Sequence, residues 1–423
     1  MKRPYVLALV SLVLCSSAFA AGTLENVQFY SDALSEYRWG QVYLPEGYDP
    51  AQHYPAIYFL HGSNADHTAY PQFIDALDQK IASGTIQPVI AIKPHGDGCG
   101  PWGSYTGCNW VNSETLGNYE DFVVQDVVSW AEANYPIIPD RAHRMVMGHS
   151  MGAFGAMHMA LRHPDIFGGV AAHSGYLYFQ DFDTVHRPLV IAEQTSGPPY
   201  NWIPTGMFTG VWFMFSAGFS PNPTNPPCHL DFLLDSQGAI RPDVWARWLE
   251  HDPATIAESL APETAPAIYF DCGTLDEFQF YPFNVDFDAH LTALGIPHDW
   301  RFYEGGHGDY HILQRFKIAL QFLNDAMVAM SVAESDHAAI WLSSRSNPAL
   351  GGTTIDFGTA RPGKVMLTLY DLNGRKQATL FDGELPGGAH RIDWDAGLLP
   401  AGAYYCVAQS AGSRATRRLV VIR

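Results

Sequence analysis

Positive charge is scarce in this sequence. Its 423 residues carry 24 Lys and Arg against 43 Asp and Glu, a net charge of −19. Binding to nucleic acid or to an anionic lipid surface needs clustered Lys and Arg, so both are excluded as principal functions. Charged residues are also few at 16%, while hydrophobic residues reach 47% and aromatics 13%. A chain of that composition folds around a core and is not disordered. No apolar run approaches the ~20 residues needed to span a bilayer. Residues 6–14 are too short, and Gly and Ser interrupt residues 208–219. A phosphate loop, a dinucleotide fingerprint in its strand–helix setting, a His-Glu-x-x-His pair and zinc-type cysteine spacing are all missing. No cofactor and no metal ion are expected. His307 and His311 lie four apart around Asp309, but nothing else in the pattern supports a metal site.

The first 20 residues read as a secretory signal. Lys2 and Arg3 precede the short apolar run, and Ala18-Phe19-Ala20 is a small-x-small cleavage site. The expected location is outside the cell or at its surface. Of the 6 cysteines, Cys15 leaves with the signal, so an odd set remains: Cys99, Cys108, Cys228, Cys272 and Cys406. Cys99 and Cys108 bracket a Gly-rich loop and are the expected disulfide; Cys272 reads as a core thiol.

Charge divides the remaining chain. Residues 340–423 hold 10 basic and 6 acidic residues, whereas residues 22–339 hold 12 and 37. The expected organisation is a large domain over 22–335, a linker over 336–345 and a small module over 346–423. The large domain alternates short apolar strands (near 55–60, 87–92, 144–147, 168–172, 267–270 and 299–302) with amphipathic stretches such as 119–135 and 283–294. That alternation predicts an α/β fold with a doubly wound, mostly parallel sheet. Residues 22–44 read as an antiparallel entry hairpin. The excursion over about 176–262 predicts a cap insertion. The tail shows strand-like runs, turn signals and no helical period, which predicts a small all-β sandwich.

The chemistry centres on Gly148-His149-Ser150-Met151-Gly152, between a strand and a small-residue helix. A turn that tight leaves no room for side chains at its flanks and projects Ser150 at the strand end, as a G-x-S-x-G nucleophile elbow requires. A serine hydroxyl needs a base, and the base needs an orienting carboxylate. In chain order after Ser150, two later strand ends supply Asp276 and His307. Asp271 is the second candidate acid and Glu277 the third. His149 and His173 are weaker candidates for the base. The oxyanion donors are expected to be the amides of Met151 and Ser63. His61, Trp110, His149 and Trp212 are the expected substrate-binding residues, with Trp102 and Tyr105 on a second candidate wall.

These motifs carry a resemblance. His61-Gly62, the loop Trp110-Val-Asn-Ser with Gly117-Asn-Tyr-Glu-Asp121, the elbow, Gly273-Thr-Leu-Asp276, Gly305-Gly-His307 and the cap segment from Trp248 to Pro253 resemble the Putative esterase (esterase D-like) family over roughly residues 30–325. The resemblance implies an α/β-hydrolase fold and a Ser150, His307, Asp276 triad. Family members include feruloyl and acetyl-xylan esterases, S-formylglutathione hydrolases and mycolyltransferases. Export disfavours the glutathione-linked role, which is cytosolic. The expected partner is a small-molecule or polysaccharide-linked ester. An acyltransferase, a polyester hydrolase and a non-catalytic surface adhesin are the alternatives. The tail is similar to FlgD-like immunoglobulin modules and type IX secretion sorting domains, through Tyr370-Asp-Leu-Asn-Gly-Arg375, Leu399-Pro-Ala-Gly-Ala-Tyr404 and the basic end. That likeness implies contact with secretion machinery or cell-surface attachment.

Overall fold

The computed structural model describes residues 21–97, 99–100, 103–104, 107–309, 311–337, 340–344, 349–350, 352–359, 362–372, 374–395, 399–410 and 413–422. The signal segment, Trp102 and Tyr105 lie outside them. The chain divides into two compact units at Met327/Val328.

The first unit is built on an eight-stranded sheet: β1 (Thr23–Ser31), β2 (Glu36–Leu44), β3 (Ala56–Leu60), β4 (Ile90–Pro94), β5 (Arg144–His149), β6 (Gly169–His173), β7 (Ala267–Gly273) and β8 (His298–Tyr303). Their order is β1-β2-β4-β3-β5-β6-β7-β8. The β1/β2 and β2/β4 pairs are antiparallel, and all other pairs are parallel. Strands β3 to β6 are buried along their whole length, so their sequences show apolar stretches without alternation, with polar residues (Lys93, Arg144, His149 and His173) at or near the strand ends. Helices α1 (Pro71–Ala82), α2 (residues 119–134, with a π-helical turn over Phe122–Val127), α3 (Met151–Arg162), α4 (Met207–Phe219), α5 (Tyr281–Leu294) and α6 (Ile312–His337) complete the described framework. Helix α5 ends at Gly295, whose φ of 70° is the left-handed conformation of a helix terminus.

From β3 the chain turns to β4 on one side and then returns to β5 on the other. Such a reversal opens a crevice at the carboxyl ends of the strands. The register brings Leu60 beside Gly148, and His173 beside both His149 and Asp271. The loops that follow β3, β5, β6, β7 and β8 therefore emerge along one edge.

The excursion between β6 and β7 carries α4 and the short helices Pro242–Leu249 and Pro253–Ala257. Its interior is aromatic. Trp212 stacks on Trp248 at 5.3 Å, and Phe182 meets Trp212 edge-on at 4.6 Å. Glu193 accepts from the amides of Phe208 (2.8 Å) and Thr209 (2.7 Å) and so caps α4. Asn109 donates to the Met214 carbonyl (2.7 Å) and Ser113 to that of Ala217 (2.6 Å), which fixes the other end.

Three buried histidines and the half-buried His251 have pKa values lowered by desolvation: His158 to about 3, and His61, His186 and His251 to about 4. His158 also faces Glu120, His251, Arg162 and His163. The unfolded chain protonates its histidines at a higher pH than the folded one. Their contribution is therefore full above pH ~6.5 and is lost as pH falls from there toward 4. Asp252, pushed up to about 6 by burial, acts oppositely and offsets part of this loss. The melting temperature is expected to fall steadily between pH 6.5 and 4, with a slope equal to more than one excess proton on the unfolded chain. A flat melting profile over that range would show that these rings are accessible to protons in the fold.

The second unit holds two sheets around one core. One is three-stranded, with β9 (Ile340–Ser344), β11 (Gly352–Thr359) and β14 (Gly388–Asp395) in the order β9-β11-β14. The other is five-stranded, with β10 (Ala349–Leu350), β12 (Gly363–Asp371), β13 (Lys376–Leu385), β15 (Gly402–Ser410) and β16 (Ser413–Ile422) in the order β10-β16-β15-β12-β13. Ile340, Ile355 and Phe357 from the first sheet join Val365, Leu367, Leu369 and Cys406 from the second in a single apolar cluster. The linker expected over 336–345 is corrected here: α6 runs to His337, and Ile340–Ser344 pairs with β11. Ile340 is buried in the core, which a solvated linker would not permit.

Candidate active site

Ser150 sits between β5 and α3 with φ 58° and ψ −120°, a strained conformation for a residue with a side chain. The surrounding contacts impose it. A Cβ at Gly148 would lie 2.2 Å from the Gly152 carbonyl oxygen, and one at Gly152 would lie 2.0 Å from that of Leu60. The Ser150 amide donates to the His173 carbonyl at 2.8 Å, which ties the turn to β6.

The loops after β7 and β8 are joined beyond the strands. Thr274 donates to the Tyr303 carbonyl (2.9 Å) and Leu275 to that of Gly305 (3.0 Å). This brings Asp276 Oδ2 to 2.7 Å from His307 Nδ1. Asp276 is buried, and its Oδ1 accepts from the Phe278 amide at 2.9 Å. A carboxylate only accepts, so His307 donates from Nδ1, and in the neutral ring Nε2 is the nitrogen left to act as a base. Nε2 is buried and has no hydrogen-bond partner among the described residues. Glu277, the third candidate acid, accepts from the His307 amide at 2.7 Å and holds the loop.

Asp271, the second candidate acid, is committed elsewhere. Arg315 Nη2 and Nε approach its Oδ1 at 2.5 and 3.0 Å, while His173 Nδ1 and the Tyr269 hydroxyl each meet Oδ2 at 2.9 Å. Burial opposes its charge, but Arg315 and His173 hold its pKa well below the usual range. Arg315 also donates to Ser174 Oγ (2.9 Å), and Ser174 donates to the His307 carbonyl (3.1 Å). His149 Nε2 reaches the same carbonyl at 2.9 Å. His149 therefore bears its proton on Nε2 and accepts from the Tyr70 hydroxyl on Nδ1 at 3.0 Å. Burial and the neighbouring His307 keep its pKa well below the usual histidine value. Arg315, Ser174 and Tyr70 carry no local motif, which is why sequence reasoning passes over them.

Ser150 and His307 line one cavity of about 370 Å³ together with Ser63, Asn64, Tyr70, His149 and Met151. Met151 is the first residue of α3, so its N–H has no acceptor within the helix and is available at the site. Lys93, buried below, donates to the Ala69 carbonyl at 2.7 Å and anchors the loop that bears Ser63 and Tyr70. The outer wall is apolar, with Met207, Gly210, Val211, Met214 and Phe215 from α4 and Tyr176, Phe278 and Phe280 beside them.

Three of the four expected substrate-binding residues are not among those that line this cavity. His61 is buried; its Nδ1 donates to the Gly62 carbonyl (2.8 Å), and its Nε2 accepts from the Gly96 amide (2.9 Å). Trp110 is buried and donates to the His61 carbonyl at 3.1 Å. Trp212 points into the aromatic interior of the cap, off the stripe of α4 that faces the cavity. His149 does line it. The expected Cys99–Cys108 disulfide is also corrected. Cys108 is a free thiol, fully buried in the main core beside Trp110 and Val111, where it packs as an apolar group. The side chain of Cys99 lies outside the described set.

The Esterase family model, described as Putative esterase, matches residues 31–317. An endo-1,4-beta-xylanase/feruloyl esterase of Xylanibacter ruminicola is 27% identical over 207 residues, which is 47% of this chain and 27% of that protein. Esterase Rv1288 of Mycobacterium tuberculosis is 31% identical over 136 residues, 32% of this chain and 28% of that one. The chain thus spans little more than a quarter of the length of these curated relatives. Among solved structures, a ferulic acid esterase superposes with a TM-score of 0.53 at 20% identity, over 73% of this chain and 100% of the other. An S-formylglutathione hydrolase from Agrobacterium tumefaciens gives 0.52 at 16% identity, over 74% and 97%. At such identities the likeness establishes the fold, a mixed α/β architecture on a large, mostly parallel sheet. The family model covers about two thirds of the sequence, and the chain belongs to the Putative esterase family.

Proposed function

We propose that this protein is a secreted serine carboxylic-ester hydrolase working through a covalent acyl-enzyme. The observation that carries the reading is the 2.7 Å Asp276–His307 pair, whose unpaired imidazole Nε2 lies at the cavity that Ser150 lines. His307 takes the Ser150 proton as the hydroxyl attacks the ester carbonyl. Asp276 holds the ring and stabilises the imidazolium that forms. The amides of Met151 and Ser63 receive the oxyanion. His307 then protonates the leaving alcohol, and water, activated by the same ring, releases the acid. Plant-polysaccharide feruloyl or acetyl esters are the proposed substrates. The feruloyl esterase named among the relatives and the leading signal-like segment support this choice.

A fluorophosphonate probe tests the reading. It is expected to label Ser150 of the folded protein, and methyl ferulate or p-nitrophenyl acetate is expected to be hydrolysed. Absence of label on Ser150 would eliminate the serine mechanism and favour a binding role.

The C-terminal module over 346–423 is proposed to serve sorting or surface attachment. The net charge of +4 over residues 340–423, against −25 for residues 22–339, suits docking on an acidic partner. The module's lone histidine, His390, rests on the Pro386 carbonyl at 2.8 Å and donates to no carboxylate among the described residues. A chain ending at His337 is expected to keep its turnover on a soluble ester and to lose retention at the cell surface. Loss of turnover in a truncated chain that still folds would give the module a part in the site.

A further inference from the structure

We infer that the cavity is divided between the two halves of an ester, with the acyl group lying along α4 and Gly210 setting how large that group can be. The inference rests on the serine-esterase reading above and adds which wall meets which half of the substrate.

The cavity-facing residues of α4 are 207, 210, 211, 214 and 215. Spacings of three and four place them on one face of the helix. Along that face Met207 is 43% exposed, whereas Met214 and Phe215 are buried, so the stripe runs from mouth to floor. Every position on it carries a bulky side chain except Gly210. A Cβ built there meets no atom within 4 Å. Glycine inside a helix is disfavoured relative to alanine. Here it leaves open space in the middle of an otherwise filled wall. The gap does not close by sliding of the helix, because Glu193 holds one end and Asn109 and Ser113 hold the other.

The chemistry assigns the sides. The leaving oxygen must take its proton from His307 Nε2. The rings of Phe278 and Phe280 lie 4.6 and 5.8 Å from that imidazole, so they border the alcohol. The acyl carbonyl oxygen turns instead toward the Met151 amide. Met151 adjoins α4: a Cβ on Gly107 would lie 2.1 Å from Met151 Sδ and 3.2 Å from Met214 Sδ. No Lys, Arg, Asp or Glu is among the described residues lining the cavity. The acyl group it suits is therefore uncharged and apolar, and the gap at Gly210 leaves room for one longer than acetyl.

The test uses the full chain with Gly210→Leu and Gly210→Ala. Values of kcat/KM are measured for p-nitrophenyl acetate, octanoate and cinnamate, and for methyl and p-nitrophenyl esters of one acid. Gly210→Leu is expected to lower the octanoate-to-acetate ratio, the cinnamate-to-acetate ratio or both by at least ~10-fold, and to leave the ratio between alcohols within about twofold of native. Which of the two acyl ratios falls further distinguishes a straight-chain from an aryl acid. Gly210→Ala, whose methyl meets nothing, should shift the same ratios in the same direction by less, and it decides the matter if the leucine variant does not fold. Unchanged acyl ratios, or a shift confined to the alcohol series, overturn the assignment. A protein labelled at Ser150 whose Gly210 variants keep native ratios refutes only this inference. A native protein without label refutes the esterase reading beneath it.

Discussion

Ser150→Ala is expected to reduce kcat by at least ~10³-fold with little change in KM or melting temperature, and His307→Ala to match it. Alanine retains the Cβ, so the strained turn at φ 58° is neither relieved nor worsened. The oxyanion donors and the apolar wall remain, and the residual rate measures what they contribute without a nucleophile. Because the serine and the histidine act as one unit, the double variant should lose little beyond either single one. Multiplicative losses in the double variant would mean that His307 does not serve Ser150. The same kinetics recorded with a soluble aryl ester and with a fluorophosphonate separate lost chemistry from lost binding.

Asp276→Asn and Asp271→Asn are expected to fail in different ways. At 276 the amide oxygen can still accept from Phe278, so the loop stays folded. Its NH2, however, faces His307 Nδ1 and selects the tautomer with the proton on Nε2, which cannot act as a base. The expected loss in kcat is ~10²–10⁴-fold at near-native stability. At 271 the change removes the carboxylate that, alone among the described residues, is bonded to the buried Arg315 guanidinium, along with a partner of His173 and Tyr269. An unpaired buried charge costs roughly 3–5 kcal/mol, so the melting temperature should fall and activity should disappear with the fold. A stable, inactive Asp271→Asn beside a nearly native Asp276→Asn would reverse the two assignments.

The elbow is legible in the sequence because its requirement is steric: Gly148 and Gly152 stand where backbone oxygens leave no room for a Cβ. The parallel strands are legible for a related reason, since burial on both faces leaves apolar stretches without alternation. The walls of the cavity are much less so. Trp110 and Trp212 stand out by size, yet size is what draws them into the interior, and the cavity is faced by a stripe of smaller residues on the opposite side of the same helix. That stripe follows from the 3.6-residue period once the helix is known, but the choice of face depends on tertiary packing. Arg315 and Ser174 act over distances in sequence that no local pattern spans. At the other end, Ile340–Ser344 is short and lies in a stretch rich in small and polar residues, so its pairing with β11 becomes visible only through the partner strand.

The buried thiols give the molecule reporters of its own opening. Cys108 and Cys272 lie in the core of the first unit and Cys406 in that of the second, and burial raises the pKa of each. A thiol that is both occluded and held protonated reacts with an alkylating reagent only when its surroundings part. Timed alkylation followed by peptide mapping would therefore record how often each core opens, residue by residue, without any introduced label. It would also show whether each unit opens on its own clock.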